Sequence, residues 1–295
     1  MLKLKNQKYK PDDRMSNIEI HVSHGCNLTC DSCSHYSNHG HKGLLSIEEA
    51  QQWMKPWSHK LLPRWFSLMG GEPTMNRNLT RITEITAKIW KDTRVRIISN
   101  GFFLKNHPDL PATMADNNVQ LRISLHDDSP QYKEKVKQIK DLVVDWQAKN
   151  PTLEVIWKED WKVWLQVYKG FGNNMMPFED DNPRKSWESC GVKYCRQLFL
   201  GQLWKCPNLA YLQLQDKKFD LHDKWTPYLT YRDGDLQGQA IGPDVSIKEI
   251  KAFYEEEEIS HCDMCPAKIN YHKGLPDPLI PVSQLLKQSK ARSND

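Results

Sequence analysis

The sequence predicts an α/β fold in which a parallel sheet closes part of a (β/α) barrel, followed by a smaller unit. Short apolar runs alternate regularly with amphipathic stretches as far as Trp157. This alternation indicates parallel strands joined by right-handed helical crossovers. Cysteine and polar residues follow several of the apolar runs, at the strand ends where the functional residues of such barrels lie.

Each element of the predicted barrel has a local signal. Ile18, Ile20 and Val22 alternate with polar residues, which is typical of a half-buried strand. Ser46 and Glu49 form a capping box that begins a helix. By such criteria we predict strands at 17–22, 65–69, 94–98, 120–125 and 153–157, and helices at 46–57, 79–90, 108–115 and 131–149.

The regular pattern breaks after the fifth strand. A sixth strand is predicted at 161–168, although no helix fits between it and the fifth. Beyond it we predict a strand at 201–205, a helix at 246–257 and a frayed polar tail from Lys287. We therefore expect an N-terminal arm (1–14), a barrel (15–170), a Gly- and Asp-rich linker (171–185), a second domain (186–275) and a C-terminal tail (276–295).

Composition excludes several classes of function. The 295 residues are 39% apolar, enough for a folded core, and the net charge of +4 is spread along the chain. A charge this small and dispersed gives no indication of nucleic-acid binding. The sequence has neither an apolar run of membrane length nor a signal-peptide pattern. We therefore expect a cytoplasmic protein that does not bind a membrane.

The eight cysteines are clustered, which in a reducing cytosol indicates metal binding rather than disulfides. Cys26, Cys30 and Cys33, the cysteine triad, follow the first predicted strand. Three thiolates on one loop can hold three irons of a cubane and leave the fourth iron for another ligand. The alternative is a zinc site closed by a nearby histidine, the candidates being His21, His24, His35, His39 and His41.

A second motif, Gly70-Gly71-Glu72-Pro73, follows the second predicted strand. The Cys-x3-Cys-x2-Cys and Gly-Gly-Glu-Pro motifs, in this order, resemble those of the radical S-adenosylmethionine (radical SAM) superfamily. The resemblance implies a partial (β/α)6 TIM-like barrel, a [4Fe–4S] cluster on the triad, and S-adenosylmethionine chelating the fourth iron. It also implies reductive cleavage of S-adenosylmethionine to a 5′-deoxyadenosyl radical, with electrons from a donor such as flavodoxin or ferredoxin.

The resemblance also implies contacts to S-adenosylmethionine. Gly70, Gly71, Glu72 and Pro73 correspond to the family segment that holds the methionine amine. Ser99 and Asn100, after the third strand, and Ser124, in the fourth, correspond to positions that contact its ribose or methionine part. For Ser99-Asn100-Gly101 an ordinary Asn-Gly turn is the alternative. The family usually has an aromatic residue before the third cysteine; here it is Ser32, for which Tyr36 could substitute.

A second set of cysteines resembles the twitch domain, the short form of the SPASM domain. The resemblance implies an auxiliary [4Fe–4S] cluster on Cys190, Cys206, Cys262 and Cys265, the second cysteine group. Cys195 is the alternative to Cys190, because either could precede the Gly201 hairpin. A zinc ribbon is the alternative for the whole group.

These features favour an enzyme that abstracts hydrogen from a small-molecule or sugar-like substrate, with oxidation through the auxiliary cluster. The alternatives are a peptide maturase that cross-links or epimerises its substrate, and a non-catalytic, zinc-stapled binding protein. Few residues precede the first strand, so we expect no peptide-recognition domain there. His126, at the end of the fourth strand, is a candidate acid or base.

Overall fold

Residues 8–11, 16–229, 239–271 and 278–292 are described by a computed structural model. The described strands are β1 (Asn17–Ser23), β2 (Trp65–Gly70), β3 (Arg94–Ser99), β4 (Gln120–Leu125), β5 (Val155–Glu159), β6 (Cys195–Phe199), β7 (Gln202–Trp204) and β8 (Ala240–Ile241). The described α-helices are α1 (Ile47–Ser58), α2 (Leu79–Ile89), α3 (Leu110–Asp116), α4 (Pro130–Lys149), α5 (Pro183–Ser189), α6 (Pro207–Phe219), α7 (Ile247–Glu255) and α8 (Val282–Arg292).

The strands form one sheet in the order β5-β4-β3-β2-β1-β6-β7-β8. All neighbours from β5 to β6 are parallel, whereas β7 and β8 are added antiparallel. The α/β fold with a partial, TIM-like barrel is therefore confirmed. The five strands and four helices predicted before Trp157 are all present, with bounds within two residues of the prediction.

The predicted sixth strand at 161–168 is wrong. Residues Asp160–Val163 form a 3-10 helix, and Leu165 makes only an isolated bridge, to Tyr271. A parallel neighbour of β5 would need a crossover of about a dozen residues, which this stretch does not have. The sixth parallel strand is β6, which pairs with β1 at the opposite side of the barrel strands.

The two faces of β1 differ in polarity. Ile18, Ile20 and Val22 are buried in the large core between the sheet and the helices α1–α4. Because side chains alternate along a strand, Asn17 and Glu19 lie on the other, inner face. There the Asn17 amide donates a 2.7 Å hydrogen bond to Glu19. The barrel thus has an apolar outer layer and a polar interior.

A second core lies beneath the C-terminal region and contains Tyr168, Met175, Trp204 and Trp225. Much of it comes from α6, a helix that the sequence analysis did not predict. Leu209, Ala210, Tyr211 and Leu212 of α6 are consecutive and all buried, so the first half of the helix has no alternation of apolar and polar residues to mark a helical period.

The C-terminal segment is ordered where a frayed tail was predicted. α8 extends to Arg292, so the prediction of a tail from Lys287 is wrong over the described residues. The segment before α8 is anchored to the triad loop, because the Thr29 amide donates to the Pro278 carbonyl at 2.9 Å and its hydroxyl to Ile280 at 2.7 Å. Within the described residues, no helix is long and apolar enough to cross a membrane.

Buried histidines connect the triad loop to α6. The His41 ring lies 2.5 Å from the side-chain oxygen of Gln215, and the side-chain amide of Gln215 donates to His39. Burial lowers the pKa of His39 to about 3 and that of His41 to about 4, although the hydrogen bonds to Gln215 oppose the shift. Both rings are therefore neutral in the folded protein at neutral pH.

Changing His41 to Gln should weaken the acid sensitivity of the iron-free protein. Because the folded pKa lies below the usual 6.5, the unfolded chain is protonated first, and stability present above pH 6.5 is lost toward pH 4. Between about pH 7.5 and about pH 5.5, urea unfolding should show that the parent loses up to about 1.4 kcal/mol more of its free energy of unfolding than the variant, a difference in slope of about 0.7 kcal/mol per pH unit. His59→Gln, at an exposed position, is the control, and equal slopes in parent and H41Q would contradict the assignment.

Candidate active-site cavity

The residues singled out in the barrel sequence meet at one cavity. It has a volume of about 350 Å³ and opens among the carboxyl ends of β1 to β4. Glu72 and Pro73 do not line it. The predicted residues that do are Cys26, Cys30, Cys33, Gly70, Gly71, Ser99, Asn100, Ser124 and His126.

The two glycines allow the loop after β2 to touch the loop after β1. A Cβ atom on Gly70 would lie 2.2 Å from the Ser23 carbonyl oxygen, and one on Gly71 would lie 2.1 Å from that of Gly25. Gly70 also has a φ of 143°, which side chains rarely adopt. The Gly71 and Glu72 amides donate 2.9 Å hydrogen bonds to the Ser23 and Gly25 carbonyls. Glycine is therefore required at both positions because the two loops are in contact there.

Glu72 is a buried carboxylate that accepts hydrogen bonds from neighbouring residues of the protein. Its Oε1 accepts from the Ser99 hydroxyl at 2.7 Å and the Thr74 amide at 3.0 Å, and its Oε2 accepts from the Asn100 amide at 2.7 Å. Burial raises the pKa of Glu72, and these hydrogen bonds oppose the shift. Glu72 thereby fixes the Ser99-Asn100 turn against the Gly-Gly-Glu-Pro loop.

Asn100 connects this arrangement to the triad. Its side-chain amide lies 3.8 Å from the Cys26 sulfur and donates a 2.9 Å hydrogen bond to the Asn27 side chain. The Leu28 amide also donates to the Cys26 sulfur, at 3.3 Å. Burial raises the pKa of Cys26 and Cys30, so these two thiols remain protonated in the iron-free chain, whereas at Cys33 burial is outweighed by His35 and the pKa is lowered. Iron would have to displace these protons, since thiolates are the ligands of iron–sulfur clusters. The donor set therefore fits a cluster.

Deeper in the barrel the cavity carries polar residues that the sequence analysis missed. Glu19 is 4% exposed, and its carboxylate accepts from the Gln197 amide at 2.6 Å and lies 3.6 Å from the His35 ring. Arg122 donates to both oxygens of Asp160, at 2.7 and 2.9 Å. Polar residues at alternate positions of β1 were the available signal for Glu19.

His126 lies at the cavity wall beside an indole. Its ring centre is 5.6 Å from that of Trp164, edge to face, and the Trp164 indole N–H donates to the Asp31 carbonyl at 2.7 Å. Burial lowers the pKa of His126 to about 4, with Asp160 opposing the shift. Nδ1 of His126 has no hydrogen-bond partner among the described residues. A neutral imidazole in this position can accept a proton.

Tyr36 does not take the place of the missing aromatic beside the third cysteine. It lies outside the cavity, fully buried in the second core. Ser32 lines the cavity instead, and its hydroxyl accepts a 2.7 Å hydrogen bond from the Val167 amide.

The second cysteine group lines a separate, smaller cavity. All four of its cysteines face this cavity together with Lys193, Arg196 and Lys205, but Cys195 does not. Arg196 and Lys205 are 3% and 5% exposed, and Nε of Arg196 has no partner within the described residues. Lys205 is paired with Glu256 at 2.8 Å, whereas Arg196 donates to main-chain carbonyls and has no carboxylate partner among the described residues. A buried cation of this kind compensates buried negative charge, so the cavity suits an anionic group such as a thiolate-bound cluster.

Cys195 lies on the inner face of β6, in the barrel cavity. It pairs with Asn17 at the amino end of β1, whereas the triad follows the carboxyl end of that strand. Burial and the Glu19 carboxylate raise its pKa, so it remains a thiol. Cys190 thus joins the other three cysteines, and Cys195 is separated from them.

No group of three or more His, Cys, Asp or Glu side chains in the described parts of the chain is arranged to hold a single metal ion. A cubane differs from a single ion in that each cysteine binds a different iron, so its ligands are farther apart. The fit of the two cysteine sites to clusters therefore depends on which thiols share each cavity.

Comparison with known proteins identifies the family. Residues 20–166 match the family model described as the radical SAM superfamily. This chain belongs to the radical SAM superfamily. The matched region begins in β1 and contains the triad, the Gly-Gly-Glu-Pro loop and the strands β2–β5.

Two curated relatives are named GTP 3′,8-cyclase. The protein from Aquifex aeolicus is 27% identical over 123 residues, which cover 40% of this chain and 38% of the cyclase. That from Tolumonas auensis is 30% identical over 95 residues, covering 32% and 28%. The chain therefore spans well under half the length of these relatives.

Two solved structures are also similar to parts of this chain. BtrN in complex with AdoMet and 2-DOIA has a TM-score of 0.43 and 18% identity, covering 73% of this chain and 85% of BtrN. The enzyme anSMEcpe with bound AdoMet and a peptide has a TM-score of 0.37 and 16% identity, covering 48% and 42%.

Changing Glu72 to Gln should destabilise the protein, because the new amide would place a donor against the Asn100 amide or the Ser99 hydroxyl. We expect a loss of roughly 1–3 kcal/mol in the free energy of unfolding. Glu84→Gln, on the outer surface of α2, is the matched control and should lose less. Urea unfolding of the iron-free proteins measures both, and an equal loss in the two variants would contradict the role of Glu72.

In the iron-loaded protein, Cys195 should be the one cysteine that a small alkylating agent modifies, and it should react slowly and only at alkaline pH, because burial and Glu19 raise the pKa of its thiol. The other cysteines lie in the triad or the second group, where iron would protect them. Mass spectrometry after quenching should find one alkyl group in the parent and none in Cys195→Ala. Alkylation of Cys190 instead would contradict the assignment.

Proposed function

We propose that this protein is a radical SAM enzyme that abstracts a hydrogen atom from a small, polar, sugar-like molecule. In this proposal the triad holds a [4Fe–4S] cluster, and Gly70, Gly71, Ser99, Asn100 and Ser124 line the site of S-adenosylmethionine. The observation that carries the proposal is the convergence of these residues on a single cavity. When bound, the cluster and S-adenosylmethionine supply a 5′-deoxyadenosyl radical after one-electron reduction.

The chain's own residues position the cofactor and exclude water. The loop contacts at Gly70 and Gly71 hold the triad loop in place, and the Glu72 carboxylate fixes Ser99 and Asn100. Thr29, inside the triad loop, is covered by the segment that precedes α8. A buried, preorganised site of this kind protects a reactive intermediate from solvent.

The polar interior supports a small polar substrate. Glu19, Arg122, Asp160 and His126 line the cavity and offer carboxylate, guanidinium and imidazole groups for hydroxyl or amino substituents. His126 is our candidate to accept a proton from such a substrate, because its ring lines the cavity and its Nδ1 has no hydrogen-bond partner among the described residues.

We further propose that the second cysteine group holds an auxiliary [4Fe–4S] cluster that accepts the electron left on the substrate. Four thiols around one cavity, with the buried cations Arg196 and Lys205, support this role. The enzyme would then oxidise its substrate, and a flavodoxin- or ferredoxin-type protein would supply the electron for cofactor cleavage.

Anaerobic reconstitution with iron and sulfide tests this function. With dithionite and S-adenosylmethionine, the loaded parent should form 5′-deoxyadenosine, whereas the variant with Cys26, Cys30 and Cys33 all changed to Ala should form none. Cys195→Ala is the matched control for loss of a cysteine and should still form the nucleoside. A loaded parent that forms no more nucleoside than the triple variant would contradict the proposal, and bound zinc would favour the zinc-stapled alternative.

A further inference from the structure

Asn208 is a buried residue at the second cysteine group to which the proposed function gives no role. It lies two residues after Cys206, in the first turn of α6, and is 1% exposed. Its side-chain amide lies 3.8 Å from the Cys265 sulfur. Its Oδ1 is buried and has no hydrogen-bond partner among the described residues. The Cys265 sulfur is therefore the one group among the described residues to which the Asn208 side chain is hydrogen-bonded.

Tyr36 links this asparagine to the triad loop. The Tyr36 hydroxyl donates a 3.2 Å hydrogen bond to the Asn208 main-chain carbonyl, and the Tyr36 amide donates to the Cys33 carbonyl at 2.8 Å. Tyr36 has a φ of 55°, in the left-handed region that bulky residues rarely adopt. Such backbone strain persists only where the surroundings impose it, and it is common at functional sites.

The amide N–H of Asn208 would stabilise negative charge on the sulfur that it contacts. Reduction of a cluster adds negative charge, and an N–H group directed at a cysteine sulfur stabilises that charge. An amide donor therefore raises the reduction potential of the cluster it contacts. Arg196 and Lys205 line the cavity that Cys265 also lines, and Cys206 lies at the N-terminus of α6, where the helix dipole is positive.

The triad has a comparable contact, which offers an internal comparison. The Asn100 amide also lies 3.8 Å from a cysteine sulfur, that of Cys26. Unlike Asn208, Asn100 is tied by further hydrogen bonds to Asn27 and Phe102. Each cysteine site thus has one asparagine amide at one sulfur, and the two amides can be removed separately.

We propose that Asn208 raises the reduction potential of the auxiliary cluster by donating its amide N–H to the Cys265 sulfur, and that Tyr36 positions it. This inference rests on the proposed cluster at the second cysteine group. A raised potential makes that cluster a better electron acceptor, as the proposed oxidation requires. Asn208 and Tyr36 are positioning residues in this account, since neither lines the barrel cavity.

The test isolates the auxiliary cluster and measures its potential. In full-length protein with the three triad cysteines changed to Ala, the remaining iron is counted and the cluster is titrated with EPR detection. Asn208→Leu should keep the iron and lower the midpoint potential, with the reduction equilibrium shifted about tenfold, or about 59 mV for one electron. Asn208→Asp, which adds a negative charge, should lower it further, and Tyr36→Phe should shift it in the same direction.

Asn100→Leu in the same background is the matched control, because its sulfur partner Cys26 is already absent. It should leave both iron content and midpoint potential unchanged. Unchanged potentials in N208L and N208D with full iron would overturn the inference while leaving the auxiliary cluster intact. Loss of iron in every Asn208 variant would also overturn it, since Asn208 would then be needed for assembly. Absence of iron from the triad-free protein itself would refute the auxiliary cluster and so this part of the proposed function.

Discussion

The site depends on the buried carboxylate of Glu72. It accepts hydrogen bonds from Ser99 and from the Asn100 amide, and so joins the loop after β2 to the turn after β3. The same loop touches the loop after β1 through Gly71, where a Cβ atom would lie 2.1 Å from a carbonyl oxygen. Three strand ends are thereby fixed to one another, and the triad loop is held against them. An unpaired carboxylate here would be unfavourable, so burial of Glu72 requires the loop after β2 and the turn after β3 to be in place together.

Division of the cysteines between two cavities follows from the placement of β6. Pairing with β1 brings Cys195 to the inner face of the barrel, while Cys190 and Cys206, on either side of the β6–β7 hairpin, face the second cavity. Tyr36 and Asn208 line neither cavity, but the 3.2 Å hydrogen bond from the Tyr36 hydroxyl to the Asn208 main-chain carbonyl connects the two cysteine sites. In our account this contact links two redox sites that each keep a cavity of their own.

Most of the barrel could be predicted from the sequence, because its strands and helices have clear periodicities and caps. The position of β6 could not, since its pairing joins residues as distant in sequence as Asn17 and Cys195. α6 was missed because the residues of its first turns are all buried and so show no helical period. In the site, motifs located the triad, the two glycines and Ser99-Asn100. The roles of Glu19, Arg122 and Cys195 depend on which strands pair and which of their faces point into the barrel. Local sequence patterns do not contain that information.

The central claim is that the two cysteine groups each hold a four-iron cluster. Anomalous diffraction at the iron edge, from crystals of the anaerobically reconstituted protein, tests it most directly. We predict two separate iron peaks, one bounded by Cys26, Cys30 and Cys33, and the other by Cys190, Cys206, Cys262 and Cys265, with Cys195 bound to neither. An anomalous signal at the zinc edge instead of the iron edge, or iron bound to Cys195, would contradict the account.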